Sequence, residues 1–279
     1  MPRETALKLA SDLIKINTVN PPGNESEAVQ CVVPVLREAG FSIREHPYGP
    51  ARSSLVARSG RTDCRPVMLS GHLDTVPLGT ADWSRPPFSG SIADGRLYGR
   101  GAADMKGGVA ALVAAAAHFA SRNPDAPISV VLSANEEIGC DGVKKLLDAD
   151  CLEQPRCILV AEPTVNEPCL GHKGVFWLKV VFHGKTAHAA FPALGENALL
   201  KAARAVVELN TSVPRAVPHP VMGELTLVTS RFFSGDNYNS VPDRAEIGID
   251  IRSTINKSNK ALYQDVQSIL APCKGEIEV

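Results

Sequence analysis

Aromatic residues make up only 5% of the 279-residue chain, which leaves little material for base-stacking platforms or aromatic sugar grooves. Charge of one sign is missing too: 29 Lys+Arg against 30 Asp+Glu give a formal charge of -1, so no polybasic footprint for nucleic acid exists. No apolar run approaches the roughly 20 residues a bilayer span needs. The longest, from Val109 to Ala117, is broken at His118. Neither GxGxxG nor a Walker A sequence occurs, which argues against a nucleotide cradle. The seven cysteines are odd in number and form no CxxC pair, so free thiols in a reducing cytoplasm are expected. The first residues, MPRETALKLASDLIKI, lack the apolar block of a signal peptide and read as an amphipathic helix. What remains is an ordinary globular composition, 44% hydrophobic and 21% charged, whose core must be mainly aliphatic. The length suits one or two domains.

Leu7, Ala10, Leu13 and Ile14 recur at helical spacing. A second helix can start near Asn24, with Glu27 completing a capping box, and Pro34 predicts a kink or a later start. Short β-rich runs follow at Ser54 to Ala57, Pro66 to Ser70, Ile128 to Ser133 and Cys157 to Val160. Helices are predicted between them at Met105 to Ala120 and Gly142 to Leu147, so an α/β sheet covered by helices is expected. From Gly174 a self-contained series begins. Val175 to Phe182, Glu224 to Thr229, Ala245 to Ile251 and Glu276 to Val279 read as strands, and Asn197 to Leu209 and Ala261 to Leu270 as helices. That β-α-β-β-α-β order predicts a ferredoxin-like α+β sandwich.

Chemistry-bearing residues collect where the predicted strands of the first part end, which is where α/β sheets bind ligands. SGHLDTVP carries His72 and Asp74 two apart, so both side chains share one face of an extended stretch, although a polar turn would look the same. Asp104 in GRGAADMKGG precedes a glycine-opened helix, where it can bridge cations or simply cap the helix. ANEEIG places Glu136 beside Glu137, a repulsive pair that needs either solvent or a cation. AEPT adds Glu162 after the fourth strand. One imidazole among several carboxylates is a hard to borderline donor set suited to Zn, Co or Mn.

These four motifs, in this order, resemble the M20 family of metal-dependent amidohydrolases and peptidases. The resemblance implies a Zn-peptidase-like catalytic domain, residues 1–173, with helices around a mixed sheet, and an inserted lid and dimerisation domain, residues 174–279. It implies two divalent ions, Zn first, then Co or Mn. His72, Asp104 and Glu162 would hold one ion, and Asp104 with Glu137 the second; Asp74 would stand behind His72, and Glu136 would be the general base. The Asp104–Met105 bond is expected to be cis. In the lid, His188 of GKTAHAAFP resembles a histidine that crosses to a partner subunit's active site and stabilises the oxyanion. Asn239 resembles a second lid contact, and Arg252 a position near the substrate carboxylate. A homodimer through the lid is implied.

The implied substrate is a small N-acyl amino acid, N-acetylornithine before N-succinyl-diaminopimelate, with dipeptides third. Nucleic acid and membrane are not expected as partners. Members of the family usually continue to a late histidine that completes the second metal site, and no histidine follows His219 here. The C-terminal return of the catalytic domain is therefore expected to be absent. A noncatalytic dimerising metal binder, or an inactive fragment, is the competing class.

Overall fold

The computed structural model describes residues 2–212 and 216–278, and the chain divides into two compact units, Met1–Glu167 and Pro168–Val279. In the first unit two helices, α1 (Pro2–Lys15) and α2 (Glu25–Glu38), precede two strands, β1 (Ser42–Gly49) and β2 (Arg52–Ser59). Then come β3 (Val67–His72), a small hairpin of β4 (Ile92–Ala93) and β5 (Arg96–Leu97), α3 (Lys106–Arg122), β6 (Ile128–Ser133), α4 (Asp141–Asp148) and β7 (Cys157–Val160). The sheet runs β1-β2-β6-β3-β7. It is antiparallel from β1 to β6 and parallel across β6, β3 and β7. That mixture follows from the connections: a tight turn joins β1 to β2, whereas α3 and α4 supply the crossovers that parallel neighbours require.

Residues Ile128 to Ser133 are all buried, as an apolar run in the centre of a covered sheet should be. Leu13, Leu36, Leu55, Val109, Val113, Val130 and Leu132 belong to one aliphatic core. Gly108 permits the close seating of α3, because a Cβ there would stand 2.3 Å from the carbonyl oxygen of Ala161 just past β7. Among the described residues the sheet ends at β7, where Ile158, Leu159 and Val160 are each more than half exposed.

Several local expectations fail for identifiable reasons. The later start offered by Pro34 is not taken: the residue lies inside a helix that begins at Glu25. Its ring frees the carbonyl of Gln30, and both residues lie on the exposed side, where water can take that acceptor. The capping box does not form; Asn24 donates instead to the Glu27 carboxylate at 2.8 Å. Leu7 is exposed and Leu9 takes its place in the core. The edge strand β1 had no apolar run to betray it, since its sequence SIREHPYG is mostly polar and outward-facing.

The second unit contains β8 (Gly174–His183), α5 (Ala198–Thr211), β9 (Thr226–Ser234), β10 (Arg244–Ser253), α6 (Asn259–Leu270) and β11 (Gly275–Glu278). Its sheet order is β11-β8-β10-β9, antiparallel throughout. Ala245, Ile247, Ile249 and Ile251 alternate onto one face of β10 and pack with Ala202, Leu209, Leu262 and Val266 of the two helices. Asn197 and Ser258 cap α5 and α6, each accepting a bond from an amide three residues on. Strand β9 runs later than Glu224 to Thr229, and a register irregularity at Gly248/Ile249 accommodates it. Val279, expected in the last strand, lies outside the described residues.

Candidate metal centre

The parallel strands β3 and β6, and β7 beside them, deliver their C-terminal ends to one edge of the first unit, and the motif residues follow those ends. His72 is the last residue of β3 and is only 2% exposed. Its Nδ1 lies 2.9 Å from the backbone carbonyl of Asp74, which can only accept, so Nδ1 carries the proton. Its Nε2 therefore faces the carboxylates: Asp104 Oδ1 at 3.2 Å and Glu162 Oε1 at 3.8 Å. A lone pair and two anionic oxygens at such distances repel unless a cation, proton or metal, sits among them.

The donor atoms of His72, Asp104 and Glu162 all lie within 4.8 Å of one another, the single such group among the described residues. Ligand bonds of about 2.1 Å in tetrahedral geometry place neighbouring donors about 3.4 Å apart, close to the two separations made by His72, so modest side-chain shifts would let the cluster hold a divalent ion. The ring is buried while Asp104 and Glu162 are 53% and 41% exposed, which leaves the carboxylate side open to an incoming ligand. The Asp104–Met105 peptide is cis, as the resemblance implies. Met105 is wholly buried, and its sulfur accepts the amide of His72 at 3.2 Å.

Asp74 serves the two arms of the site with different groups. Its carboxylate Oδ1 stands 3.7 Å from His72 Nδ1, beyond hydrogen-bonding distance, and its backbone carbonyl orients the ring instead. The carboxylate is spent on the other arm of the site, accepting the amides of Glu136 at 3.0 Å and Glu137 at 3.1 Å. Asn135 makes that arrangement possible. It adopts φ 59, a left-handed conformation that asparagine tolerates, and so turns both following amides onto Asp74.

Electrostatics set the two arms apart. Burial alone lowers the pKa of His72, but the charges of Asp74, Glu136, Glu162 and Glu137 outweigh it and raise it. Burial pushes the Glu137 carboxyl up to about 7, opposed by His72 and reinforced by Asp104, Glu136 and Asp74. Glu137 Oε1 is buried and accepts no hydrogen bond among the described residues, a cost that a second cation would remove.

In the second unit, His188 and Asn239 come together although 51 positions separate them in the chain. His188 bridges to Ser240, and the amide of Ala189 donates to the carbonyl of Asn239 at 2.9 Å. The His188 ring is exposed, with Nδ1 accepting the Ala190 amide at 3.1 Å. Arg252 is not part of that corner. It sits near the far end of β10, roughly 25 Å along the strand at about 3.4 Å per residue, and pairs with Asp250 at 2.9 Å.

The model of Peptidase family M20/M25/M40 matches residues 68–267, which include the whole metal-ligand cluster. The chain belongs to this M20 family. Over 98% of its length it is 35% identical to a succinyl-diaminopimelate desuccinylase of Rhodospirillum centenum and 37% identical to one of Methylobacterium radiotolerans, spanning 74% and 72% of those proteins. Its fold matches that of an M20 family metallo-carboxypeptidase from Sulfolobus solfataricus, with a TM-score of 0.79 at 18% identity, over 98% of this chain and 77% of that one. A dinuclear metal-binding M20 peptidase of Bacillus subtilis matches at a TM-score of 0.65 and 17% identity, over 98% and 71% of the two chains. The ligand set of this M20 chain is consistent with a metal-dependent amidohydrolase, and its chemistry is hydrolysis of an amide or peptide bond in a small N-acyl amino acid or peptide. No helix is long and apolar enough to cross a membrane among the described residues.

Sequence reasoning missed the supports of the M20 site. Asn20 donates from Nδ2 to Asp74 Oδ2 and to Asn135 Oδ1, both at 2.8 Å. Glu25, wholly buried, accepts the Asn135 amide at 3.2 Å and pairs with Arg52. The available signal was the cluster NTVNPPGNE, polar and proline-rich yet set between two amphipathic helices.

Proposed function

We propose that the chain hydrolyses the amide of an N-succinyl diamino acid of the succinyl-diaminopimelate type, at a centre held by His72, Asp104 and Glu162. The observation carrying this reading is the alignment of 98% of the chain with proteins that bear that name, at 35% and 37% identity. It favours the succinyl substrate over the N-acetylornithine expected first from the motifs. The likeness to solved peptidases, at 15% to 21% identity, supports the fold and not their substrates.

When bound, a divalent ion, Zn first and Co or Mn after it, supplies Lewis acidity that makes water acidic and polarises the amide carbonyl. Asp104 and Glu137 are the proposed ligands of a second ion, a set still incomplete among the described residues. Glu136 is the proposed general base: it takes a proton from the attacking water and hands it to the departing amine nitrogen. The effect of its charge on both His72 and Glu137 supports that reading. Asp74 fixes the His72 tautomer through its carbonyl and the Glu136–Glu137 turn through its carboxylate.

His188 and Asn239 are proposed contacts for the oxyanion and substrate, and Arg252 for a substrate carboxylate. The second unit is proposed as a ferredoxin-like lid, supported by its β-α-β-β-α-β order and its fourth-first-third-second sheet, and as the surface of a homodimer. Seven free thiols support a reducing cytoplasm as its compartment.

The test is hydrolysis of N-succinyl-diaminopimelate, N-acetylornithine and a dipeptide with Zn and with Co. The succinyl substrate is expected to lead by at least about tenfold in kcat/KM. Equal or better turnover of N-acetylornithine overturns the substrate assignment. Metal binding with no hydrolysis of any of the three favours the noncatalytic metal-binding class.

A further inference from the structure

We propose that Asn20 is a positioning residue for both arms of the metal centre, acting through Asp74. This rests on the reading of His72, Asp104, Glu137 and Glu162 as metal ligands.

Asp74 touches both arms, one with its backbone and the other with its side chain. Its carbonyl holds His72 Nδ1, and its carboxylate holds the amides of Glu136 and Glu137. The wholly buried carboxylate must keep its rotamer if the Glu136–Glu137 arm is to hold its place relative to the His72 arm, which the Asp74 backbone fixes. Asn20, only 1% exposed, locks it. Both protons of the Asn20 amide nitrogen are committed, one to Asp74 Oδ2 and one to Asn135 Oδ1. Asn135 is itself the residue whose left-handed backbone aims the two amides. Asn20 thus ties the carboxylate to the turn it receives.

The orientation of Asn20 follows from the same contacts. Turned over, its oxygen would face two acceptors, Asp74 Oδ2 and Asn135 Oδ1. In the orientation found, its Oδ1 is buried and has no hydrogen-bond partner among the described residues. The two donations at the hub give Asn20 its positioning role. Its own place is secured through the backbone, where its amide donates to the carbonyl of Thr75 at 2.8 Å, while Thr18 Oγ1 donates to the carbonyl of Leu73 at 2.7 Å.

The discriminating substitution is Asn20→Asp, which keeps the shape, replaces a donor by an acceptor and adds negative charge close to the centre. Charge alone predicts tighter cation binding. Positioning predicts the opposite, because the new carboxylate repels Asp74 and releases it. Zn2+ titration of the metal-free full chain, by calorimetry with a competing chelator, reads the affinity, and the visible d–d band of the Co2+-loaded protein reads ligand geometry.

The expected result is a Zn2+ affinity weakened by about ten- to a hundred-fold, the range typical of lost outer-shell support, together with a shifted Co2+ band. Asn20→Leu, of similar size and without donors, should weaken binding to a like degree. If Asn20→Leu fails to fold, Asn20→Asp decides alone. Unchanged or tighter Zn2+ binding by Asn20→Asp, or an unmoved Co2+ band, overturns the proposal. Absence of Zn2+ binding by the unsubstituted chain is a different failure and refutes the metal-centre reading itself.

Discussion

Replacing Glu137 by Gln should stabilise the metal-free protein at alkaline pH, the reverse of the usual effect of removing a site residue. Glu137 titrates near 4.5 when free and is pushed up to about 7 in the fold, mainly by burial. Between those values the folded state holds a proton that the unfolded state has released. Stability from this group is therefore complete below pH 4.5, falls as pH rises through about 7, and stays low beyond. At about 1.36 kcal/mol per unit, the shift sets a ceiling near 3.4 kcal/mol. The side chain is only partly buried, and solvent screening reduces that to about 1–2 kcal/mol. Gln removes the penalty while keeping the shape. In chelator at pH 8, Glu137→Gln should melt about 2–8 °C above the parent, given about 2–4 °C per kcal/mol for a unit of this size. At pH 4, where the parent carboxyl is largely protonated in both the folded and the unfolded state, the two should melt nearly together. Saturating Zn2+ should reverse the pH 8 order, since a ligand stabilises most the form that binds it best. A Glu137→Gln melting point at or below the parent's in chelator at pH 8 refutes the account of a desolvated, repelled carboxylate.

Glu136→Gln should bind Zn2+ with the parent's stoichiometry and lose nearly all turnover, by at least about a hundredfold; near-normal hydrolysis at confirmed metal content refutes the base assignment. Asp74→Asn keeps the shape but turns an NH2 group toward at least one N–H it formerly accepted, and removes the charge from the remaining bonds. With charge-assisted bonds contributing about 1.5–3 kcal/mol each, urea unfolding of the chelated protein should record a loss of about 3 kcal/mol, and a loss below about 1 kcal/mol contradicts the hub role. Arg52→Met strands the buried Glu25 carboxylate and should cost about 3–5 kcal/mol; the double replacement with Glu25→Gln should recover part of that loss in the same unfolding assay.

The strand ends were legible because each carries a polar cluster directly after a short aliphatic run. β6 and β7 match their sequence boundaries, and His72, Asp104 and Glu162 converge as the motifs implied. The role of Asp74 was not legible: spacing puts its side chain on the face of His72, but hydrogen bonding at the strand end is shared between carbonyl and carboxylate, and sequence does not say which goes where. Asn20, Glu25 and Arg52 were invisible for another reason. Their partners lie 54, 110 and 27 positions away in the chain, so no local period or spacing marks them. β1 escaped because an exposed edge strand needs no apolar alternation. In the second unit, the strict alternation of β10 and the capped helices made the element order readable.

The open side of β7 has a practical consequence at the bench. Cys157, Ile158, Leu159 and Val160 form an uncharged, strongly β-forming tetrapeptide with unshared backbone groups on its outer side among the described residues, and the Cys157 thiol is exposed on it. Two molecules meeting there can stick by strand addition and then be sealed by oxidation. Samples for the metal titrations should be kept dilute and under a thiol reductant that does not bind Zn2+, so that turbidity and cross-linked species are not mistaken for cation-induced assembly.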